Sequence, residues 1–452
     1  MLILVFSIAN HKVNKLEMKG NTLAIVLLVV GLIVGAGGMY VMSPNSDGGD
    51  AGDGTTGSVT VEALPLEGKT VQLGYISSTT AGLETTTPLV KDIMEVDYNE
   101  YLEKLGYDVD IEYLIDDATG QAAVHLEKVQ GFKSMGVDVF IGGGWSSQAQ
   151  ASLSYCNDND MLMWSTSSTS PLLAIDEDNL YRMCPTDLVQ APAIAAMLKS
   201  MGIEAVVLLY RGDAWADGIV NYFEPNFVDN GGVILEKIRY AGESTEFSNY
   251  LQTAEGIVAD AIAEYGEGKV AVEVIAFSEF VTMITQAQDY EALYSVPWFG
   301  SDGTVLVQQA IDDAPTQATH LKLYSTYAAP AESEVFTGLY DRYYSLVSQP
   351  FGYYSACSYD VGWILTSTIL EAQSSDALDI IDLQAPTGYK RWGASGWNRL
   401  NADGDRYASN YQIWGYGEVD GSVTSIVYGL YDSTGDFVTW ETDALGFVPQ
   451  GR

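Results

Sequence analysis

Short apolar runs alternate with amphipathic stretches along most of the chain, which predicts strands followed by helices. The runs of the first series predict strands over residues 70–76, 110–115, 137–141 and 161–164. Helical periodicity covers residues 89–105 and 118–133, and a glycine follows each of these stretches within three residues. This order of elements predicts an α/β fold with a parallel sheet covered by helices.

A second series of the same kind follows residue 189 and predicts a second α/β region. Its predicted strands are residues 205–210, 233–240, 271–277, a run ending at 297–303, and 321–327. Its predicted helices are residues 190–201, 218–230, 250–264, 279–290, 334–345 and 355–372, with a loop over 211–217. The tail is strand-rich, at 411–416, 423–431 and 437–439. The chain therefore contains two α/β regions of similar design.

The N-terminal segment has a different pattern. Residues 22–42 are uncharged and mostly apolar, which is long enough to cross a bilayer, and three lysines precede them. We predict a cytoplasmic N-terminus over 1–20, a transmembrane anchor over 21–42 and the bulk of the chain outside the cell membrane. A cleaved signal peptide is the alternative for the apolar run. Residues 43–68 are rich in Gly, Ser and Asp at their start and predict a flexible acidic linker.

The formal charge of −39 argues against a nucleic-acid partner, because such a surface repels phosphate. The acidity is compatible with adaptation to a saline exterior, with attraction of cations or with a surface that simply keeps the protein soluble. Three distant cysteines give no disulfide framework, and three dispersed histidines give no metal site. Residues 401–405 have the composition of a calcium loop without its later glutamate, so we predict a hairpin turn there. We predict no cofactor and no metal.

Small and hydroxyl residues follow two neighbouring predicted strands. The strand ending at Ile141 is followed by three glycines, Trp145, Ser146 and Ser147, and the strand ending at Trp164 opens into a run of serines and threonines. Ligands of open α/β sheets lie outside the carboxyl ends of the strands, where hydroxyls and helix-start amides suit a carboxylate. No nucleophile, base or metal cluster accompanies these residues. We therefore predict a binding protein and not an enzyme.

Because the predicted strands, helices and hydroxyl-rich segments follow one another in this order, residues 70–439 resemble the periplasmic-binding-protein type I family. Within that family they resemble the branched-chain amino-acid-binding proteins of ABC importers. The segments that carry the resemblance are residues 76–79, 139–147, 165–171, 181–187, 210–218 and 299–303. The resemblance implies two Rossmann-like lobes joined by a hinge. It implies lobe 1 over 69–189 and 321–400, and lobe 2 over 190–320 and 401–452.

The resemblance also implies the residues of a ligand site between the lobes. Ser146 and Ser147 match the position that holds the ligand carboxylate, and Ser167 and Thr169 match the pair after the second strand. Trp215, Phe277 and Asp302 match positions of the second lobe, where Asp302 would meet the ligand ammonium.

The sequence departs from the family after its first strand, where the family usually shows an aromatic residue. Glu84 in this region is expected to enter the pocket rim and to favour a cationic or amide ligand. We interpret Tyr353, Tyr354 and Tyr359 as packing residues.

The resulting hypothesis is an extracytoplasmic solute-binding protein that delivers an amino acid, amide or urea-type molecule to ABC permease subunits. The alternative is a cell-surface sensory or structural protein with the same fold, since a fold does not fix a function.

Overall fold

The computed structural model describes residues 64–441. The predictions for 1–20, 21–42 and residues 43–63 of the linker lie outside the described residues. From residue 64 to residue 441, no helix combines the length and the apolar character needed to cross a membrane. Residues 64–69 and 99–110 group into a small unit of their own, in which the Gly68 amide donates to the Asp108 carbonyl over 2.6 Å.

A five-stranded sheet with the order β2-β1-β3-β4-β5 organises the first part of the chain, the five-stranded half. Its strands are β1 (Lys69–Ser77), β2 (Val109–Asp117), β3 (Val139–Ile141), β4 (Leu162–Ser165) and β5 (Leu180–Arg182). The connecting helices are α1 (Thr80–Pro88), α2 (Glu95–Leu105), α3 (Ala122–Ser134) and α4 (Ser146–Asp158), with a π-helical turn over Leu89–Met94. β1 with β3, β3 with β4, and β4 with β5 all pair in parallel, as the alternation predicts.

An eight-stranded sheet with the order β15-β14-β13-β10-β9-β8-β6-β7 organises the eight-stranded half. Its strands are β6 (Ala205–Gly212), β7 (Val233–Ala241), β8 (Val270–Ile275), β9 (Trp298–Gly300), β10 (Tyr324–Ala328), β13 (Tyr411–Val419), β14 (Ser422–Asp432) and β15 (Phe437–Trp440). β6 to β10 pair in parallel, and β13, β14 and β15 extend the sheet in antiparallel fashion. The strand-rich tail of the sequence therefore adds to an existing sheet.

The helices of the second series connect the strands of the eight-stranded sheet. They are α5 (Asp187–Ser200), α6 (Ala214–Asp229), α7 (Ser248–Tyr265), α8 (Phe280–Ala287), α9 (Glu291–Ser295), α10 (Gln308–Asp313) and α11 (Pro315–Leu321). After β10 the chain continues through α12 (Glu334–Val347), α13 (Tyr353–Ala372), α14 (Ala377–Ile380), α15 (Gln384–Tyr389) and the short hairpin of β11 (Trp392–Gly393) and β12 (Gly396–Trp397).

Apolar side chains on both faces of β6 explain why this strand is central. Val207 and Leu209 pack into one buried cluster, while Val206 and Leu208 pack into another. Because successive side chains of a strand point to opposite faces, a continuous apolar run buries both faces of the sheet. The helices of the second series cover these faces.

The structure moves two boundaries of the predicted lobes. Residues 324–328 were expected in lobe 1, but β10 pairs with β9 and β13 inside the eight-stranded sheet. Residues 401–406 were expected in lobe 2, but Asp405 bridges to Arg182 of β5 and forms an ion pair with it. Apolar periodicity identifies a strand, but it does not say which sheet the strand will join.

Two helix starts also differ from the prediction. The first helix begins at Thr80 and not at residue 89, since Thr79 caps it and a proline is tolerated before the π-helical turn. The predicted loop over 211–217 contains the start of α6, where the Asp213 carboxylate accepts from the amides of Trp215 (3.1 Å) and Ala216 (3.0 Å). Asp213 is therefore an N-cap, which the sequence shows only as an acid before an apolar stretch.

Candidate functional site

A cavity of about 240 Å³ lies at the carboxyl edge of the five-stranded sheet. β1 ends at Ser77 and β3 at Ile141, and both residues line the cavity. Ligands of open α/β sheets bind at this edge. The lining comprises Tyr75, Ile76, Ser77, Ser78, Thr79, Gly82, Thr85, Thr86, Leu89, Ile141, Gly142, Gly144, Trp145, Thr166, Ser167, Tyr343, Tyr354, Ser355 and Ser358.

The loop after β1 brings hydroxyl groups and a helix start to the cavity. The Ser77 hydroxyl donates to the Thr79 carbonyl over 3.0 Å, and the Thr79 hydroxyl accepts from the Gly82 amide over 3.1 Å. The first two turns of α1 border the cavity through Gly82 and Thr85. Amide groups at a helix start favour an anionic group. This part of the lining therefore suits a carboxylate.

The glycine loop after β3 is fixed by hydroxyls of the loop after β4. Ser165 donates to the Gly143 carbonyl over 2.9 Å, and Ser167 donates to the Gly144 carbonyl over 2.8 Å. A β-carbon on Gly144 would lie 2.4 Å from the Ser78 hydroxyl and 3.1 Å from that of Ser167. A side chain at Gly144 would thus push the cavity wall apart.

His125 supports the same loop as a neutral imidazole. Burial lowers the pKa of His125 to about 3, so the ring carries no charge at neutral pH. Its Nε2 accepts from the Gly143 amide over 2.7 Å, which leaves the ring proton on Nδ1, 2.7 Å from the Ser152 hydroxyl. His125 therefore positions the glycine loop.

Of the four hydroxyl residues predicted for the site, Ser167 lines this cavity. Ser146 is buried at the start of α4, where its hydroxyl accepts from the Ser168 hydroxyl (3.1 Å) and the Ser170 amide (3.2 Å). Ser147 is half-buried and lies outside the lining. Thr169 is also buried outside the lining, and its carbonyl accepts from the amide that begins α5.

The two predicted aromatic residues lie in a three-ring stack. The ring of Phe277 lies 4.4 Å from Trp215 at an interplanar angle of 6° and 4.6 Å from Trp145 at 16°. Trp145 follows β3 of the five-stranded half, while Phe277 and Trp215 belong to the eight-stranded half. The Arg211 guanidinium lies 4.6 Å above the Phe277 ring. The stack therefore joins the two halves beside the cavity.

Asp302 lies behind the cavity wall and not in it. One carboxylate oxygen accepts from the Gln190 amide over 3.0 Å, and the other accepts from the Tyr354 hydroxyl over 2.5 Å. Gln190 also donates to the hydroxyl of Thr326 over 3.1 Å. Because Tyr354 lines the cavity, its hydroxyl links the cavity wall to Asp302 through one hydrogen bond.

Asp187 and Asp302 form a buried pair of acids. Burial raises the pKa of both carboxyl groups, and the charge of Asp302 raises the pKa of Asp187 further. The hydrogen bonds from Tyr354 and Gln190 lower the pKa of Asp302 in turn. Repulsion between the two buried acids favours a proton on one of them, which leaves at most one negative charge behind Tyr354. An ammonium group near Tyr354 would meet a negative potential.

The residues that sequence reasoning missed come mainly from helices distant in the chain. Tyr343 from α12 and Tyr354 and Ser358 from α13 line the cavity. The Ser358 hydroxyl donates to the Thr166 hydroxyl over 3.3 Å and lies 3.0 Å from that of Tyr75. In the sequence, the only sign that Ser358 has a role was its polar side chain within a largely apolar helix. Glu84, which was expected at the pocket rim, is exposed on α1 outside the lining.

Comparison with known families gives one match over most of the chain. The family described as "Receptor family ligand binding region" matches residues 97–418. An uncharacterized protein of Methanocaldococcus jannaschii is 26% identical over 396 residues, which cover 82% of this chain and 92% of that protein.

Solved structures share the fold of this chain. A leucine-binding protein LivK of Thermotoga maritima superposes with a TM-score of 0.65 at 19% identity, over 82% of this chain and 99% of that one. A solute-binding protein of an ABC transporter from Rhodopseudomonas palustris, in complex with 3,4-dihydroxybenzoic acid, gives a TM-score of 0.63 at 16% identity. That alignment covers 80% of this chain and 98% of the other.

Proposed function

Because this chain belongs to the receptor ligand-binding family, the periplasmic-binding-protein type I family, we propose that it binds an amino acid or a related amide in the 240 Å³ cavity. This family and fold are those of solute-binding proteins, which are not enzymes. The observation that carries the proposal is the cavity itself, where hydroxyls and a helix start meet at the carboxyl ends of β1, β3 and β4.

The two ends of a zwitterion find different surroundings in the cavity. The carboxylate lies beside the start of α1, whose dipole favours an anion, and beside the loop that the Ser167 hydroxyl holds through its bond to the Gly144 carbonyl. The ammonium lies near the phenol of Tyr354, whose hydroxyl donates a hydrogen bond to the carboxylate of Asp302. A buried charge without a partner is costly, so a ligand with both charges fits better than one with a single charge.

Transport is the second step of the proposal. A ligand in the cavity contacts the five-stranded half and helices α12 and α13, and Trp145 of the lining stacks on Phe277 of the eight-stranded half. The ligand thereby stabilises one arrangement of the protein, which ABC permease subunits recognise. Residues 22–42 anchor the chain in the cell membrane, with residues 64–441 outside the cytoplasm. A related solved protein is a solute-binding protein of an ABC transporter, which supports this role.

Calorimetric titration of the full chain in detergent tests the ligand class. The panel contains branched-chain amino acids, amides, urea and 3,4-dihydroxybenzoate. We expect saturable binding of an amino acid or amide. Binding should weaken about fivefold in Ser167→Ala, because the variant loses the hydrogen bond of about 1 kcal/mol that holds Gly144 in the cavity wall. The matched control is Ser147→Ala, which removes a hydroxyl outside the lining and leaves affinity unchanged.

Two results would contradict this function. Absence of binding to the whole panel, with circular dichroism and a cooperative melt showing a folded chain, would favour a surface protein that keeps the fold alone. Binding of the aromatic acid alone would replace the amino acid by another ligand class.

A further inference from the structure

A second cavity, of about 650 Å³, lies against the antiparallel ribbon of β13 and β14. The ribbon provides Gln412 and Trp414, helix α12 provides Tyr340 and Tyr344, and the turn before α13 closes one side. This volume lies in the range of about 300–1,000 Å³ that is usual for small-molecule sites. Its lining shares no residue with that of the 240 Å³ cavity.

The lining of this second cavity carries no charged side chain. The residues are Leu306, Gln308, Ile311, Tyr327, Pro330, Phe336, Tyr340, Tyr344, Ser348, Gln349, Pro350, Phe351, Gly352, Tyr353, Gln412, Trp414, Thr424, Ser425 and Val427. The chain as a whole has 60 acidic and 21 basic residues, so an uncharged surface of this size is unusual for it. An ionic ligand would lose its hydration without gaining a counter-charge. The ligand that fits is neutral.

Aromatic rings make up much of the wall. Tyr340 and Tyr344 lie parallel, with centroids 6.1 Å apart and an interplanar angle of 6°. The rings of Phe336 and Phe351, with centroids 5.6 Å apart, also line the cavity. Tyr344 is 49% exposed, so part of its surface is open to a ligand. Flat aromatic surfaces of this kind pack against ring-shaped ligands.

Amides and hydroxyls stand between these rings. Gln308, Gln349 and Gln412 line the cavity together with serine and threonine hydroxyls. Both kinds of group donate and accept hydrogen bonds, as the hydroxyls of a sugar do. A proline-rich peptide would instead offer mainly carbonyl acceptors to an aromatic groove. The indole N–H of Trp414 already donates to Gln412 over 3.1 Å, which weakens that alternative.

We propose that the cavity between α12 and the β13–β14 ribbon binds a neutral saccharide, with Tyr340, Tyr344 and Trp414 packing on its ring faces and the glutamine amides meeting its hydroxyls. The walls of this cavity and of the 240 Å³ cavity are built from neighbouring residues. Tyr353 lines the second cavity, its neighbour Tyr354 lines the first, and Tyr354 packs edge-on against Tyr327 at 5.2 Å. The saccharide therefore binds close to the first site without entering it.

Calorimetric titration of the full chain with neutral mono- and disaccharides tests this proposal, with a uronic acid as the charged comparison. We expect saturable binding of a neutral sugar and weaker binding of the uronic acid. Tyr344→Ala changes an exposed side chain and should weaken binding at least tenfold, and Trp414→Ala should do so as well. The matched control is Tyr389→Ala, an exposed tyrosine outside this lining.

Ser167→Ala separates this site from the first cavity, since it should leave sugar binding unchanged. Failure of every neutral sugar to bind the folded chain would overturn the proposal. Equal affinity in the Tyr344→Ala and Tyr389→Ala variants would also overturn it. Binding of a polyproline peptide that is lost in Tyr344→Ala would make the cavity a peptide groove instead.

Discussion

The surroundings of β5 and of β8 bury charged side chains in different ways. In the five-stranded half, Arg182 and Asp405 are 0% and 1% exposed and form an ion pair, and Asp360 accepts two hydrogen bonds from Ser395. In the eight-stranded half, Glu273 is fully buried in β8, and neither carboxylate oxygen has a hydrogen-bond partner among residues 64–441. Buried polar groups normally have partners, and Glu273 departs from this rule, as do the carboxylate oxygens of Asp187 at the start of α5.

This difference shows which half fixes the geometry of the candidate site. Arg182 also donates to the carbonyls of Ser170 (2.6 Å) and Ser168 (3.3 Å), in the hydroxyl loop after β4. The ion pair with Asp405 thus holds the loop that carries Ser167. Asp302 of the eight-stranded half is also held by hydrogen bonds, from Gln190 and Tyr354, whereas Glu273 in β8 has no such bonds among residues 64–441.

Breaking the ion pair should give the largest effect. Arg182→Met leaves the Asp405 carboxylate buried without its counter-charge, which typically lowers the free energy of unfolding by about 3–5 kcal/mol. Burial already raises the pKa of Asp405, and Arg182 opposes that rise. Urea unfolding followed by circular dichroism measures the loss.

Arg239→Met is the matched control for Arg182→Met. Arg239 and Asp217 also form a two-bond pair, at 2.8 and 2.9 Å, but the two side chains are 49% and 34% exposed. Exposed pairs contribute about 0–1 kcal/mol. Similar losses in the two variants would mean that the buried pair does not hold the five-stranded half together.

Replacing Glu273 should change the free energy of unfolding less than breaking the Arg182–Asp405 ion pair does, and in the opposite direction. Glu273→Met keeps a similar side-chain length without the carboxyl group, and we expect the free energy of unfolding to rise by about 1–3 kcal/mol at neutral pH. Burial raises the pKa of Glu273 well above its ordinary value. A decrease in stability would show that the carboxyl group has a partner in solution.

The pH dependence of this effect has a defined sign. With a raised pKa in the folded state, the folded chain binds the proton more tightly than the unfolded chain, so Glu273 destabilises more as pH rises above about 4.3. The slope is at most about 1.4 kcal/mol per pH unit. The gain from Glu273→Met should therefore be small near pH 4 and larger near pH 7. The exposed Glu267→Met serves as control and should change stability by less than about 0.5 kcal/mol.

Local patterns in the sequence predicted most of the strands, but not β5 or the short hairpin of β11 and β12. β8 spans Val270–Ile275, close to the predicted 271–277. A short apolar run between polar turns is typical of a buried strand. The α/β class with parallel sheets is confirmed. The prediction that β10 belongs to the first lobe was wrong. β10 pairs with β9, and this pairing depends on contacts that no local pattern encodes.

The candidate site was predictable only where it follows a strand directly. Ser167 comes two residues after β4 and lines the cavity, whereas Ser146 and Ser147, the first residues of α4, both lie outside the lining. Tyr354 was interpreted as a packing residue, yet its hydroxyl joins Asp302 to the cavity. Its place comes from the packing of α13, far from β4 in sequence. Long-range packing of this kind leaves no signal near the strand ends.

The aromatic stack offers the smallest and sharpest test of how the two halves meet. Trp145 of the five-stranded half stacks on Phe277 of the eight-stranded half at 4.6 Å. Such pairs contribute about 0.5–1.5 kcal/mol beyond the area they bury. A double-mutant cycle with Trp145→Ala and Phe277→Ala, measured by urea unfolding, should give a coupling energy in this range.

The hairpin of β11 and β12 provides the control cycle. Trp392 and Trp397 stack at 5.6 Å with an angle of 6°, but Trp392 is 74% exposed and both residues lie in one hairpin. Because water competes for an exposed face, we expect a smaller coupling there. A coupling near zero for Trp145 and Phe277, alongside a measurable one in the hairpin, would mean that the rings do not stack in solution. The cavity would then lose the wall that Trp145 provides, and the two halves would have to be held together by other contacts.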